Sequence, residues 1–287
     1  MAKNIIKVKK RIATVKSTRK ITNSMKLVSS VKVRKLTKEY SANCAYFDEL
    51  LKLFDKSIFY VEDEKITFDS PYLKENNSSN KTLYIIISSN MGLCGSYNAM
   101  LFKFFEEIYK TDDEIIVIGK KGINYFKDFE KKEADFAGIL HHISIDDVYK
   151  LTNYIMKKYE SGEFKEIKFV YEKYINSLKF KPSTFKILPI EVKTKPFTDS
   201  FEPIYEEGKN NFIQSFIPEF VKSCVLHILY EASLSEETNR RNSMDNANKN
   251  IDELLKDLNL EYNKARQAAI TNQINEVVSG AQAIKND

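Results

Sequence analysis

No glycine or proline occurs in the first 70 residues, and beyond Pro218 only Gly280 interrupts the chain. All six prolines and the other seven glycines fall between Pro71 and Pro218 inclusive. These two residue types are the strongest punctuation of local structure. Two long uninterrupted ends therefore bracket one conventionally folded middle, a shaft with a body. The expected division is residues 1–60 as an N-terminal long helix, 61–209 as an α/β body and 210–287 as a C-terminal long helix.

Periodicity supports the helical ends. In the first arm Ile5, Val8, Ile12, Val15, Met25, Val28, Leu36, Tyr40, Phe47, Leu51 and Phe54 recur at steps of three and four, which is one apolar stripe of a helix. Between residues 16 and 24 the stripe thins to Ile21 alone. A helix over residues 3–59 is roughly 85 Å long at 1.5 Å per residue, so its stripe needs a long partner. The other end supplies one. Ile213, Ile217, Phe220, Cys224, Ile228 and Ala232 begin a stripe that Ile251, Leu254, Leu258, Tyr262, Ala265, Ala269, Val277 and Ala281 continue. The simplest pairing is an antiparallel coiled coil of irregular heptads. The second arm is the longer, so an overhang of roughly 28 Å at helical rise is expected over residues 268–284. Its apolar face then sits inside another protein.

Residues 235–250 (SEETNRRNSMDNANKN) have only Met244 and Ala247 as apolar members. They read either as a loop or hinge, or as a helix that continues, polar all round because it meets a partner instead of a core. Continuation is the favoured reading. Antiparallel pairing sets this stretch beside the equally polar residues 16–26, with Met25 opposite Arg240.

Charge is distributed unevenly. The first 38 residues hold thirteen lysines and arginines and no acid, so a chain of net charge +5 carries −8 on the remainder. The basic end must face solvent, an acidic partner or phosphates. Phosphate neutralisation would make a nucleic-acid-binding protein, but aromatic residues are nearly absent from this arm and its stripe is half buried. No apolar run approaches the roughly 18 residues that span a bilayer, and the N-terminus lacks the apolar core of a secretory signal. The odd, scattered Cys44, Cys94 and Cys224 argue for a reducing compartment. His141, His142 and His227 have no metal-ligand spacing, and no metal or cofactor is expected.

The middle changes pattern. TLYIIISS (82–89), EIIVIG (114–119), KEIKFVYEKY (165–174) and TFKILPIEV (184–192) read as strands. AMLFKFFEEIY (99–109), GINYFKDF (122–129) and residues 144–160 read as helices. Apolar strands alternating with helices indicate a Rossmann-like α/β sheet, parallel at least in part, and the fold class overall is α+β. Residues 61–80 and 194–209 read as connectors. Gly92-Leu93-Cys94-Gly95 follows a strand and opens a helix, as a phosphate loop would. Yet it lacks the Walker lysine and Ser/Thr, and GxxG turns also serve as plain structural devices. Cys94 has no histidine or acid beside it in sequence to activate it as a nucleophile. No catalytic constellation is evident.

Three segments together resemble the gamma subunit of the rotary ATP synthase: RIATVKSTRKITNSMKLVSSVKVR (11–34), SSNMGLCGSYN (88–98) and LNLEYNKARQAAITNQINEVVSGAQA (258–283). The third is long and specific, and order and spacing fit over essentially the whole chain. The resemblance implies a non-catalytic rotor. Its terminal helices turn inside a ring of three alpha and three beta subunits, and its α/β body meets the epsilon subunit and the membrane c-ring. Proton flow is thereby coupled to ATP synthesis, or ATP hydrolysis to proton pumping, and the shaft also regulates ATPase activity. It further implies a peripheral subunit on the cytoplasmic face of the cell membrane. Carried over by position, Met25 matches the methionine of the family's KITxAMxMV stretch, Arg240 the arginine of SExxxR, and Gln267 and Thr271 the ARQxxIT stretch. These positions, with Lys9 and Lys20 of the basic arm, are the expected subunit contacts. Plain coiled-coil packing is the alternative for Met25 and Arg240. Gln273 stands where the family usually has Glu, and Ser96 where it usually has Gly. A shaft working mainly in ATP hydrolysis is the alternative physiology.

Overall fold

The computed structural model describes residues 2–63, 70–129, 132–136, 138–191 and 208–285. The elements in chain order are helix α1 (Ala2–Asp63), strand β1 (Thr82–Ile87), α2 (Tyr97–Ile108), β2 (Glu114–Ile118), α3 (Lys120–Tyr125), β3 (Lys132–Asp135), α4 (Ile145–Glu160), β4 (Glu166–Tyr174), β5 (Phe180–Leu188) and α5 (Lys209–Lys285), with one-turn helices at Pro71–Leu73 and Ile139–His141. Both long helices form where they were expected, and α5 runs through Pro218 and through the polar residues 235–250. Only the hinge alternative for that stretch is lost. Of the expected connectors at 61–80 and 194–209, residues 64–69 and 194–207 lie outside the described residues, while residues 61–63 continue α1.

Two compact units cut across the long helices. One comprises residues 30–240 and the other residues 1–29 with 241–287.

In the unit of residues 30–240 a five-stranded sheet has the order β3-β2-β1-β4-β5. β1 pairs parallel with β2 and β4, β2 pairs parallel with β3, and β5 closes the sheet antiparallel to β4. Side chains of a strand alternate between faces, and here they fill two cores. Leu83, Ile85 and Ile87 face α4 (Val148, Leu151, Ile155), α1 (Phe47, Leu50, Phe54) and α5 (Ile217, Val221, Val225, Leu229). Tyr84 and Ile86 face α2 (Leu101, Phe102, Phe105) and Phe126. A sheet covered on both faces explains the continuous apolar strand sequences. The short β3 escaped the sequence reading because KEAD has no apolar run, being an edge strand paired on one side only.

Local chemistry sets the boundaries. Ser144 caps α4 by accepting from the Asp147 backbone N–H at 3.1 Å, with Asp146 and Asp147 in the first turn. Both devices satisfy or complement the unpaired amides of a helix start. Strand β5 stops at the cis Leu188–Pro189 bond, short of the expected residue 192. Where β1 ends, Ser88 is wedged against Gly119 and Gly122. A Cβ on Gly119 would lie 2.1 Å from the Ser88 carbonyl oxygen, and one on Gly122 would lie 2.6 Å from Ser88 Oγ.

Within this unit α1 and α5 run antiparallel. Phe54 stacks on Phe220 at 4.3 Å and Phe47 on His227 at 4.4 Å, while Lys32 reaches Glu237 at 2.9 Å. His227 is thus a core ring. Its Nδ1 lies 3.1 Å from Asn43 Oδ1, and burial lowers its pKa and favours the neutral imidazole. The expected absence of any bilayer-length apolar run needs correction. One 18-residue window within Asn211–Ser279 reaches a mean hydropathy of 1.3, apolar enough to cross a membrane, and half of it is buried. The start of α5, where Ile213, Ile217, Val221 and Leu229 point into the sheet, reads as a core helix.

In the other unit the same helices pair again, by polar contacts. Arg19 meets Asp252 at 2.7 Å, Thr22 donates to Asn248 at 2.5 Å and Lys26 meets Asp245 at 2.5 Å. Seven residues along α1 from Arg19 to Lys26 are matched by seven back along α5 from Asp252 to Asp245, so residues 19–26 lie beside residues 245–252, and Met25 stands opposite Asn246 in place of the expected Arg240. Partly exposed pairs of this kind are each worth about 0.2–1 kcal/mol, so they fix register more than they add stability. Two stripe assignments shift. Val28 is 58% exposed and the neighbouring Ser29 is buried instead, while Leu255 is buried in place of Leu254. The register that joins Arg19 to Asp252 sets Ala2 opposite Ala269. From Ile270 onward α5 has no α1 alongside it, over about 24 Å at helical rise. Ile270, Ile274, Val277 and Val278 on this overhang are 47–72% exposed.

Candidate functional site: an arginine latch at the crossover crevice

The chain leaves β1 for β2 on one side and returns to β4 on the other. In open α/β sheets the crevice beyond the carboxyl ends of such a strand pair is where ligands bind. Here α5 occupies it. Arg240, 4% exposed, donates from Nε to the Gly92 carbonyl at 3.3 Å and from Nη2 to the Met91 carbonyl at 3.1 Å, on the turn after β1. The same guanidinium binds Glu236 through Nη2 and Glu237 through Nη1, the latter at 2.9 Å. One residue earlier, Asn239 Nδ2 donates to Glu172 Oε2 of β4 at 3.3 Å. The two strands flanking the crevice are thus each held by a side chain of α5. The planar fork of arginine suits this task, because it serves two carboxylates and two carbonyls from one fixed geometry.

The turn itself is ordered from inside. Asn98 Oδ1 accepts from the Ser89 backbone N–H at 3.1 Å, and Asn98 Nδ2 donates to Ser89 Oγ at 2.7 Å. Gly95 and, unusually, Leu93 adopt left-handed φ values of 62° and 66°. A bulky residue there is a strained outlier, and Leu93 is also 58% exposed. The carbonyls at Met91 and Gly92 point to a cation, which is the polarity opposite to a phosphate loop. Cys94 is buried, and that burial raises its thiol pKa and disfavours the thiolate. A cavity of about 210 Å³ beside the latch is lined in part by Leu36, Met91, Leu140, Ile143 and Tyr230, small against the ~300–1,000 Å³ of drug-sized sites.

Four carboxylates crowd this part of α5 and β4. Glu172 and Glu231 are 2% exposed, Glu236 and Glu237 8%. Burial raises the Glu172 pKa to about 7 against the hydrogen bond from Asn239. Burial likewise raises Glu231, opposed by the Tyr171 hydroxyl that donates to its Oε2 at 2.8 Å, and Glu236, opposed by Arg240. The polar stretch expected to face a partner therefore spends residues 235–240 inside its own unit and residues 245–252 on α1.

The six residues singled out from the sequence are distributed as follows. Arg240 is the centre of the latch. Met25, half-buried, lies in the other unit beside Lys26 and its partner Asp245. Gln267 and Thr271 are exposed on α5, with Thr271 Oγ1 donating to the Gln267 carbonyl at 3.0 Å. Lys9 and Lys20 are exposed on α1. The sequence reading missed Glu236, Asn239 and Glu172. The i,i+4 spacing of Glu236 and Arg240 was a legible signal for one pair, whereas nothing local indicates that Asn239 meets Glu172.

Within the unit of residues 30–240, two long antiparallel helices pack on a doubly wound sheet whose ligand crevice is filled by the chain's own arginine, and this arrangement defines the fold class. Comparison with known proteins gives the family. The sequence profile of the ATP synthase family matches residues 4–284. The chain is 35% identical over 282 residues to the ATP synthase gamma chain of Mycoplasma mycoides subsp. mycoides SC, covering 98% of this chain and 99% of that one. It is 36% identical over 286 residues to the gamma chain of Clostridium botulinum (strain Eklund 17B / Type B), covering 98% of each. This chain belongs to the ATP synthase gamma chain family. Its fold is similar to a chain in the OSCP/F1/c-ring structure of the Euglena gracilis mitochondrial ATP synthase, with a TM-score of 0.73 at 19% identity over 99% of this chain and 95% of that one. It is also similar to one in the rotor of that enzyme, with a TM-score of 0.64 at 18% identity over 94% of this chain and 100% of that one.

Proposed function

We propose that this chain is the central rotor subunit of an ATP synthase, coupling ion flow through the membrane sector to ATP synthesis, or ATP hydrolysis to ion pumping, by rotation. The chemistry belongs to the catalytic beta subunits, and this chain supplies the orientation that biases them. A rotor shifts a partner only to the extent that its contacts differ in free energy between that partner's conformations. Asymmetric, register-fixed side-chain presentation is therefore the property required. Its partners are the alpha and beta subunits in a three-to-three ring, the epsilon subunit and the c-ring, with one copy of this chain per complex. The complex is membrane-associated, and we place this subunit at the cytoplasmic face of the cell membrane, held there by its partners.

By this reading residues 1–60 and 210–287 supply the rotating helices and residues 61–209 the α/β part. Lys9, Lys20, Met25, Gln267 and Thr271 serve as contacts with the ring. Arg240 acts differently, by holding the turn at Met91 and Gly92 in the strained shape that exposes Leu93. The observation that carries the proposal is the overhang of α5, whose Ile274 and Val277 are 56% and 72% exposed and which matches the family profile to residue 284. A helix end of this kind is poorly soluble alone and is stable inside a sleeve of other subunits.

The test is co-expression with the alpha and beta subunits. The three should co-purify, and ATPase activity should depend on this chain. Removing residues 268–287 should weaken assembly or coupling while both units stay folded. Full proton pumping driven by ATP after that truncation would refute the buried overhang, and failure of the intact chain to co-purify would refute the rotor assignment.

A further inference from the structure

We infer that the β4–β5 hairpin is a docking surface for an acidic amphipathic segment of another subunit. The inference rests on the rotor reading only in placing that partner within the complex. From residue 173 to residue 190 the sequence contains Lys173, Lys179, Lys181 and Lys186 and no acid at all. Lys186 meets Glu191 at 2.6 Å and Lys173 acts electrostatically on the buried Glu231, whereas no salt bridge among the described residues engages Lys179 or Lys181. Between these lysines stand Ile175, 46% exposed, and Leu178, whose 85% is the highest exposure of any large apolar side chain among the described residues.

A single exposed leucine is ordinary, but this one is held in place. Asn176 Oδ1 accepts from the backbone N–H groups of Leu178 and Lys179, both at 2.9 Å. The strand ends close through Ile175 N–H to the Lys179 carbonyl at 3.2 Å. At its base Tyr174 lies against Phe180 and against Tyr40 of α1, with ring centroids 5.9 and 6.5 Å apart. The hairpin is therefore pre-organised, and a partner loses little entropy by ordering it. Two apolar side chains flanked by three lysines match a helix that offers one apolar stripe with acids on both sides, and the charges supply orientation as well as attraction. An anionic lipid surface shares the charge, but two apolar side chains are a small anchor for a bilayer. Within an assembled complex the effective concentration of a tethered partner offsets such modest contact area.

The experiment introduces the photocrosslinking residue benzoylphenylalanine in place of Leu178, and separately of Ile175, in the full chain assembled in the purified complex. Mass spectrometry then identifies the crosslinked peptide. The expected product joins this chain to an acid-rich helical segment of a different subunit. Its yield should fall about fivefold when Lys179→Glu and Lys181→Glu are combined, the effect of losing two exposed ion pairs. Crosslinks confined to this chain, crosslinks to a neutral or basic segment, or an unchanged yield in the charge-reversed variant would each overturn the inference. So would loss of binding of the complex to phosphatidylglycerol vesicles on charge reversal with the crosslink unaffected, since lipid would then be the partner. Co-purification of each variant with the ring shows that the complex itself has formed. A chain that never co-purifies refutes the rotor reading and is thereby told apart from a failure of this one.

Discussion

Replacing Arg240 with alanine should be among the most damaging single changes outside the apolar core, and the damage should depend on pH in a defined direction. The guanidinium serves two buried carboxylates and two carbonyls. Glu237 keeps Lys32 at 2.9 Å when it is removed, so Glu236, on which Lys32 is only a minor influence, is the group left with a poorly compensated buried charge. Breaking a buried pair by deleting one partner costs about 3–5 kcal/mol, and an expected loss of about 4 kcal/mol at pH 8 follows. Glu236 can escape by taking up a proton, because burial already raises its pKa and Arg240 is the largest influence holding it down. Without the arginine its folded pKa rises further above the unfolded value. The variant's native state then binds the extra proton as pH falls, recovering about 1.4 kcal/mol per pH unit. The deficit should shrink by about 2 kcal/mol or more between pH 8 and pH 5. Arg240→Lys keeps the charge without the fork and should fall between wild type and alanine. Denaturant unfolding followed by near-ultraviolet tyrosine ellipticity reads the correct region, because Tyr262 is the only one of the 16 tyrosines outside residues 30–240. A loss below about 1 kcal/mol, or one that is the same at pH 5 and pH 8, would show that Arg240 is not the counter-charge of Glu236.

Two further outcomes are expected. Glu172, with a pKa near 7 against an ordinary 4.5, favours the native state while protonated; that contribution is whole below about pH 4.5 and is lost as pH rises through 7. Glu172→Gln keeps an acceptor for Asn239 without the charge and should stabilise by up to about 3 kcal/mol at pH 8 and by nothing at pH 4. Equal effects at both pH values in denaturant titrations would refute this account. Gly119→Ala forces a Cβ to 2.1 Å from the Ser88 carbonyl at a φ of +98° and should cost about 3 kcal/mol or more. Gly138→Ala, with nothing within 4 Å of the added atom, should be near neutral, and a similar melting-temperature loss in both would refute the steric argument.

Much of this molecule was legible from residues alone, because its long elements are governed by local rules. Helix α1 follows from a long apolar stripe free of glycine and proline, and α5 from a stripe interrupted only by Pro218 and Gly280. Strands β1 and β2 follow from the five- and four-residue apolar runs LYIII and IIVI, and the start of α4 from Ser144 and its following acids. Edge strand β3 was not legible, since pairing on one side lets a strand be polar. Nor was the difference between Val28 and Ser29, or between Leu254 and Leu255. A stripe gives the face of a helix, but the supercoil and the partner's register decide which of two adjacent side chains turns inward.

The amino-acid order by itself determined that two long helices would pair antiparallel around an α/β middle, and that residues 235–250 could continue a helix. Only the tertiary structure decided what those polar residues are for. Their partners, Gly92 and Met91 at one end of the segment and Lys26 at the other, lie 148 to 219 positions away in the chain. A polar residue reads the same in sequence whether water, another protein or its own sheet satisfies it. The choice is made by which backbone carbonyls and carboxylates the folded chain brings within hydrogen-bonding distance, and in Arg240 that choice turns an exposed-looking charge into the latch of the fold.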